Sequence, residues 1–131
     1  MKKIKVCCAI IVQDGKVLAA KRGPQMAMSG YWEFPGGKVM DGEEYEDCLI
    51  REIKEELDID IVQLKYFTTH LHPYADFIIE LIAFTCIPTQ KDFVLAEHEA
   101  AGYFDHENLK KLEWAPADIP IVDLLLQGLT K

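Results

Sequence analysis

Acidic residues crowd into one short stretch of this chain, between positions 41 and 60. Ten of the 22 aspartates and glutamates fall within these 20 positions, together with only two basic residues. Apolar residues recur there at helical spacing, which predicts an amphipathic helix over 44–57 whose apolar face packs on a sheet. Glu52, Glu55 and Glu56 then lie one turn apart on the neighbouring arc of that helix. The fold must therefore accommodate a crowded group of carboxylates at the edge of a docked helix.

Two interpretations compete for this carboxylate cluster. In the first, the acids form an ordinary solvated helix face, in which each like-charge pair costs about 0.2–0.5 kcal/mol. In the second, they bind a hard divalent cation, because Mg²⁺ prefers carboxylate and water oxygens and bridges to substrate phosphates. Glu56 favours the second, since it falls at the edge of the apolar face, where an ionised carboxylate is costly without a cation. The sequence therefore predicts a magnesium site, with Mn²⁺ as an alternative ion.

The balance of charge excludes several classes of partner. The 131 residues carry 14 basic and 22 acidic side chains, which give a net charge of −8. Such a chain has no broad basic surface to neutralise a nucleic acid polymer or an anionic membrane. A phosphate-bearing ligand must therefore be met by something other than surplus lysine and arginine. Half of the residues are hydrophobic, which is enough to form the core of the single domain, 1–131, that this length predicts.

The amino-terminal segment and the cysteines predict a cytoplasmic protein. Three lysines precede the apolar run 6–12, but this run is too short for a secretion signal and lacks a small-residue cleavage site. No apolar stretch reaches the roughly 18 residues of a transmembrane helix. The cysteines show no spacing typical of a zinc site, and two adjacent cysteines in a strand point to opposite faces. Free, buried thiols are therefore expected at Cys7, Cys8, Cys48 and Cys86.

Apolar alternation and turn residues predict strands and helices in mixed order. Strands are expected at 3–12, 16–20, 31–34, 61–70, 77–87 and 100–104. A helical turn is expected at 107–111 and a final helix at 120–129, with Asp118 as a candidate N-cap. The Pro-Gly-Gly segment 35–37 stops the third strand and has unusual backbone freedom. Elements that mix without strict alternation predict an α/β or α+β sandwich around a mixed sheet.

One pattern within 37–59 has the spacing of a known signature. Gly37 is followed after five residues by Glu43, and after seven more by the run REIKEELDI at 51–59. This pattern resembles the Nudix box, a loop-helix-loop motif of hydrolases that cleave nucleoside diphosphates linked to another group. One position departs from the motif, because Asp58 stands where the family has glycine. That position resembles a helix C-terminus that needs a left-handed residue, and Asp adopts this conformation less readily than Gly but more readily than most residues.

The resemblance extends beyond the box. Residues 32–38, WEFPGGK, look like the entry strand of the MutT-type branch of the family, which hydrolyses nucleoside triphosphates. Residues 97–99 with Tyr103, and then 114–120, are similar to the C-terminal segment of CTP pyrophosphohydrolases in that branch. The resemblance implies a Nudix-like α/β/α sandwich with a mixed central sheet, in one domain.

The same resemblance implies a function. Members of this branch are magnesium-dependent, and the expected reaction converts a nucleoside triphosphate, CTP-like or oxidised such as 8-oxo-dGTP, to the monophosphate and pyrophosphate. Two alternatives stay open: hydrolysis of another nucleoside diphosphate derivative, and nucleotide sensing without hydrolysis. In each case the partner is a small nucleotide, and the chain is expected to act as a monomer or a homodimer.

The family's metal-binding positions carry over to this chain. The resemblance assigns magnesium to the carbonyl of Gly37 and to the carboxylates of Glu52, Glu55 and Glu56. A distant glutamate on a later loop completes the site in the family, and its match here is Glu97, with Glu99 as the alternative. A carboxylate must also orient or deprotonate the attacking water. That role falls first to Glu52 and second to Glu55.

Other charged residues near these acids divide into supporting and substrate-binding roles. Arg51 suits an ion pair that steadies the glutamates, and Glu43 either joins that pair or binds the metal through water. Arg22 resembles the family's phosphate-contacting arginine, although an exposed charge at the end of a strand is the ordinary alternative. Lys38, in the glycine loop, is a second candidate for contact with the phosphates.

Recognition of the base is assigned to residues far from the box. Asp118 matches the position at which MutT-type enzymes place a polar side chain against the base edge. A carboxylate accepts hydrogen bonds only, so it favours a base that offers N–H donors, such as cytosine or the amide edge of guanine. Phe77 or Ile79 would stack on the ring, although alternating core residues are the more common explanation for both.

Overall fold

The first strand organises the sheet because it pairs with three different strands. The computed structural model describes residues 2–129, and the elements in this range are β1 (Lys2–Gln13), β2 (Lys16–Lys21), β3 (Trp32–Glu33), β4 (Gly36–Lys38), α1 (Tyr45–Leu57), β5 (Ile61–Pro73), β6 (Phe77–Pro88), β7 (Ala100–Phe104), α2 (His106–Leu109) and α3 (Ile119–Leu129). Strand β1 pairs in parallel with β6 and antiparallel with β4 and β2. The order is β3-β2-β1-β6-β5, with β4 also on β1 and β7 on β2. The expected mixed sheet is confirmed.

Side chains of β1 alternate between two cores, one on each face of the sheet. Cys7 packs in the core beneath α1, and Cys8 packs in the opposite core with α3. The apolar face of α1 enters the first core through Leu49, Ile53 and Leu57. Helices therefore cover both faces, which confirms the α/β/α arrangement. The four cysteines in the described chain are buried and free, as expected.

The glycine segment forms a strand of its own, whereas the sequence predicts only a flexible stop there. The expected strand 31–34 is limited to β3, because Pro35 follows Phe34. The Pro35 carbonyl accepts a hydrogen bond from the Ala9 N–H at 2.8 Å. Strand β4 then lies against β1, with Gly36 opposite Cys8. A Cβ atom at Gly36 would overlap the Cys7 carbonyl. Glycine is therefore required for this pairing.

The three helices lie close to their predicted positions. Helix α1 begins at Tyr45, one residue later than expected, and Glu44 at its N-cap makes no side-chain cap hydrogen bond. Helix α2 ends earlier than the predicted turn, and the Asp105 carboxylate caps it by accepting the Asn108 N–H. Helix α3 begins one residue before Pro120. Within residues 2–129, no helix combines the length and the apolar character needed to cross a bilayer.

Asp58 ends α1 in the left-handed conformation, with φ 55° and ψ 41°. Its N–H donates to the Lys54 carbonyl at 3.1 Å, which satisfies one of the free carbonyls at the helix end. The conformation is therefore the one that the resemblance to the box requires, although a residue other than glycine supplies it. The Lys54 ammonium lies 3.2 Å from the Asp58 carboxylate, but both side chains are largely exposed.

Replacement of Asp58 by glycine is expected to stabilise the protein. Glycine adopts the left-handed region without the steric cost of a Cβ, so Asp58→Gly should raise the free energy of unfolding by up to about 1 kcal/mol. The exposed ion pair with Lys54 contributes little to offset this gain. Urea unfolding measures the change. Asp58→Ala, which keeps the Cβ and loses the carboxylate, should destabilise, and a glycine variant less stable than the parent would contradict this account of the cap.

Candidate active site

A cavity of about 560 Å³ gathers most of the predicted site residues. Its walls come from strands β1, β3, β4 and β6, from α1, from the segment after β2, from the turn between β5 and β6, and from the segment before α3. Charged side chains on these walls are those of Arg22, Glu33, Lys38, Glu52, Glu56 and Asp118. Apolar walls are formed by Ile4, Val6, Phe34, Phe77, Ile79 and Leu81. The cavity thus combines an acidic part from α1 with an apolar part from the sheet.

The glycine segment packs directly on the acids of α1. The Gly36 N–H donates to Glu56 Oε1 at 3.0 Å. A Cβ atom at Gly37 would overlap the Glu52 carboxylate. The pairing of β4 with β1 therefore brings the backbone at these two glycines against two carboxylates. Two acidic side chains held beside this backbone provide oxygen ligands of the kind that Mg²⁺ prefers.

Arg51 binds the acids on the outer side of this group. Its Nε and Nη2 donate to the two carboxylate oxygens of Glu43, at 2.9 and 3.0 Å. Its Nη1 donates to Glu52 Oε1 at 2.7 Å and lies 3.5 Å from Glu55 Oε2. The hydrogen bonds from Arg51 and from the Met40 N–H lower the pKa of Glu43 to about 2. The guanidinium therefore contacts three carboxylates, as a supporting residue would.

Glu56 is the most unusual acid of the site. Burial, reinforced by the charges of Glu33 and Glu52, raises the pKa of its carboxyl to about 8, although His98 acts in the opposite direction. A buried carboxyl group with acidic neighbours keeps its charge only where a cation compensates it. The chemistry of Gly37, Glu52 and Glu56 therefore fits a divalent metal ion.

The acids do not converge on a single point. Among residues 2–129, no group of three acidic, histidine or cysteine side chains is arranged to hold a metal ion. The three acids have different partners, because Arg51 binds Glu52 and Glu55 and the Gly36 N–H binds Glu56. Glu55 is also largely exposed, with 59% of its side chain accessible. The single three-acid cluster expected from helical spacing is thus divided into two parts.

The two candidate acids of the later loop lie outside the cavity. The loop runs along the end of α1, where the Ala96 N–H donates to the Glu56 carbonyl at 3.2 Å. Glu97 follows directly, but its side chain is exposed and is absent from the described cavity walls. Glu99 instead pairs with Lys21 at 3.2 Å. The role of Glu97 as a metal ligand therefore stays a prediction that rests on its position beside Glu56.

The predicted phosphate and base residues line the cavity. Arg22 is partly buried, and its Nη1 donates to Glu33 Oε1 at 2.6 Å. Lys38 lines the cavity from an exposed position. The Phe77 ring stacks on the Tyr74 ring at a centroid distance of 5.2 Å, so an aromatic surface is present in the apolar part. Ile79 also lines this part.

Asp118 is buried at the inner end of the segment before α3. Its Oδ2 accepts the Phe34 N–H at 2.9 Å, so the carboxylate binds the backbone between β3 and β4 rather than an N–H of the helix. Its backbone carbonyl instead accepts the N–H groups of Ile121 and Val122. Burial, together with the charge of Glu33, raises the pKa of Asp118 to about 8 against the lowering effect of the Phe34 N–H. The carboxyl group is therefore held in place and able to keep a proton near neutral pH.

Glu33 and His98 are two residues of the site whose roles the sequence does not predict. The His98 ring is buried and its Nε2 lies 2.8 Å from Glu33 Oε2. Burial alone lowers the pKa of His98, but the hydrogen bond to Glu33 and the charge of Glu56 outweigh it and raise the pKa. His98 follows no periodic pattern, since it lies in an irregular loop. The sequence feature that could have indicated this pair is Glu33, an acid between two aromatic residues, Trp32 and Phe34.

Comparison with known proteins decides the family. The profile of the NUDIX domain matches residues 1–125. The chain belongs to the Nudix family. The CTP pyrophosphohydrolase of Escherichia coli strain K12 is 36% identical over 126 residues, which cover 96% of this chain and 93% of that protein. The 8-oxo-dGTP diphosphatase of Proteus vulgaris is 38% identical over 84 residues, 63% of this chain and 75% of that protein.

A solved structure supports the same family and its MutT-type branch. The solution structure of the DNA mismatch repair protein MutT, a Nudix hydrolase from methicillin-resistant Staphylococcus aureus 252, is 40% identical in sequence. It aligns with a TM-score of 0.78 over 98% of this Nudix chain and 99% of the other. The sandwich described above is therefore the Nudix fold.

The raised pKa of Asp118 predicts that stability falls as the pH rises. Below the ordinary pKa of aspartate the folded and unfolded chains are both protonated, whereas between about 4 and 8 only the folded state keeps the proton. The contribution of Asp118 to the free energy of unfolding is therefore lost as the pH rises through that range. Urea unfolding at pH 5 and pH 8.5 should show a loss that is smaller in Asp118→Asn than in the parent by at least about 1 kcal/mol, because the buried Glu56 adds its own loss in both proteins.

A matched control for this pH dependence lies on the same segment. Asp123 is exposed on α3, so Asp123→Asn should leave the pH dependence of the unfolding free energy unchanged. An Asp118→Asn variant with the same dependence as the parent would show that Asp118 ionises normally.

Proposed function

We propose that this Nudix hydrolase converts a nucleoside triphosphate, CTP-like or oxidised such as 8-oxo-dGTP, and water to the monophosphate and pyrophosphate. One observation carries the proposal: Glu52 and Glu56 of α1 line the same cavity as the base-reading candidates Asp118 and Phe77. Relatives that act on CTP and on 8-oxo-dGTP support the choice of substrate class. A net charge of −8 supports a free nucleotide in the cytoplasm over a nucleic acid polymer or a membrane.

The metal required for this reaction would be Mg²⁺, with Mn²⁺ as a substitute. The residues that would hold it are the carbonyl of Gly37 and the carboxylates of Glu52, Glu55 and Glu56, with Glu97 from the later loop. When bound, the ion neutralises polyphosphate charge and stabilises the leaving oxygen. The raised pKa of Glu56, about 8, supports this assignment because a nearby cation favours the ionised carboxylate.

Side chains of the cavity then supply the remaining functions. Arg22 and Lys38 offer positive charge to the phosphates. Glu52, or failing that Glu55, takes a proton from the attacking water and holds it at a carboxylate oxygen. Arg51 limits the motion of both acids through its contacts with them. The bond between the α-phosphorus and its bridging oxygen to the β-phosphate breaks as the new P–O bond forms, which leaves the monophosphate and pyrophosphate.

Base selection is assigned to the inner end of the cavity. Asp118 Oδ2 is engaged by the Phe34 N–H, so Oδ1 is left to read a base edge. Because burial raises the pKa of this carboxyl to about 8, the group can donate through a retained proton as well as accept. The stacked pair of Phe77 and Tyr74 provides an aromatic face for the ring.

Product analysis tests this function. The protein is incubated with Mg²⁺ and each of CTP, dCTP, UTP, dGTP and 8-oxo-dGTP, and the products are separated by anion-exchange chromatography. The expected result is monophosphate and pyrophosphate from a cytosine or 8-oxoguanine nucleotide, with activity lost in EDTA and restored by excess Mg²⁺. Release of orthophosphate alone would show that another bond is cut. A bound but intact nucleotide would indicate a sensor, and turnover of a nucleotide sugar alone would indicate a different substrate class.

Glu55 allows the role of the acids to be tested without damage to the fold. Its side chain is largely exposed and contacts Arg51 at 3.5 Å, so Glu55→Gln should leave the unfolding free energy nearly unchanged. Turnover should fall by at least about a hundredfold, roughly 2.7 kcal/mol in the barrier. Glu46→Gln, an exposed change in the first turn of the same helix, is the control and should keep full activity. Near-normal turnover in Glu55→Gln would exclude it from the metal ligands and from proton transfer.

A further inference from the structure

His98 occupies a buried position between acids that belong to two parts of the site. Only 1% of its side chain is exposed. Nε2 is within hydrogen-bond distance of Glu33 Oε2, at 2.8 Å, and the ring is close enough to Glu56 for their charges to interact. Its Nδ1 is buried and has no hydrogen-bond partner among the described residues. The ring therefore has one strong polar contact, and that contact is Glu33.

The backbone on both sides of His98 is tied to other elements, which fixes the ring in place. The Ala96 N–H donates to the carbonyl of Glu56, and the Glu99 N–H donates to the carbonyl of Lys21 at 2.9 Å. Between these two bonds the loop passes so close to Gly23 that a Cβ atom there would overlap the Glu97 carbonyl. Two backbone hydrogen bonds to other elements thus hold this irregular loop on either side of His98.

Glu33 transmits this fixed position to Arg22. One carboxylate oxygen of Glu33 is 2.8 Å from His98 Nε2, and the other accepts from Arg22 Nη1 at 2.6 Å. Arg22 Nε also donates to the Ala27 carbonyl, and Arg22 lines the cavity. A flexible arginine loses rotamer entropy when it binds a phosphate, unless a partner already holds it in the binding orientation. Glu33 can hold it only while its own carboxylate is held by a second donor.

We propose that His98 is a positioning residue, which holds Glu33 and, through it, holds Arg22 in the orientation that meets the substrate phosphates. This inference rests on the proposed function, because it requires Arg22 to bind a triphosphate. His98 does not touch the substrate, since it lies behind Glu33 and is not part of the cavity wall. Its effect is therefore on binding, and the link between His98 and Arg22 should be measurable as a coupling between the two residues.

Two amide variants of His98 differ in where they place a donor. Glutamine carries its amide nitrogen near the position of Nε2 and can donate to Glu33, whereas the shorter asparagine cannot reach it. His98→Asn should weaken binding of α,β-imido CTP in the presence of Mg²⁺ roughly tenfold and raise KM by a similar factor. The kcat should change less than about twofold, since the chemistry is left in place. His98→Gln should restore binding to within about threefold of the parent.

The same measurements in an Arg22→Gln background separate positioning from a general structural role. Because the arginine is then absent, His98→Asn should cost less than about twofold there. An equal loss in both backgrounds, or parental binding by His98→Asn, would overturn the inference while leaving the proposed function intact. Failure of the parent protein to bind both α,β-imido CTP and the matching imido analogue of 8-oxo-dGTP would overturn both. If His98→Asn does not fold, as judged by circular dichroism, Glu33→Ala removes the link from its other end and should give the same tenfold loss.

Discussion

The close approach of the Gly36–Gly37 backbone to helix α1 is the constraint on which the site depends. The two glycines place β4 against β1 on one side and against Glu52 and Glu56 on the other, and neither contact leaves room for a Cβ. A loop with side chains would push the helix away from the sheet. The helix would then lose its contact with the core through residues such as Ile53. The contacts that pack α1 against the sheet are therefore the same contacts that bring the acids together.

Crowded acids raise the free energy of the folded state, and the chain offsets this cost in two different ways. On the outer side, Arg51 neutralises Glu43 and Glu52 through short hydrogen bonds. On the inner side, Glu56 and Asp118 are buried with few donors, and the pKa of each is raised to about 8. Glu43 thus keeps its charge, whereas the protonation of the buried Glu56 and Asp118 remains responsive to a ligand. Such a division is typical of sites that give up stability for function.

Much of the fold was predictable because periodic patterns record burial directly. The sequence predicts the acidic helix, the first strand and the two long strands within a few residues, since each carries apolar residues at regular spacing over a long run. The alternation that sends Cys7 and Cys8 into different cores was predictable for the same reason. Strand β4 was not predicted, because a three-residue strand of Gly-Gly-Lys has no pattern of its own. Its pairing exists only through contact with β1.

Most of the site residues predicted from the sequence line one cavity, but the contacts among them were not predictable. Helical spacing predicts that the acids of α1 cluster, yet it could not show that Arg51 binds two of them while the Gly36 N–H binds the third. The sequence makes Asp118 a candidate side-chain cap for the last helix, whereas its carboxylate accepts the Phe34 N–H. Glu33 and His98 meet across 65 positions of sequence, and nothing local to either residue indicates the other. Contacts of this kind are set by tertiary structure alone.

The parallel pairing of β1 with β6 also determines when the protein can fold. Lys2 lies opposite Phe77 and Ile11 opposite Cys86, so the central pair of strands joins the two halves of the chain. The entropy of closing so long a loop must be overcome before these contacts contribute. During synthesis, the first strand therefore leaves the ribosome long before its partner exists. Until then, β1 can pair only with its antiparallel neighbours β2 and β4.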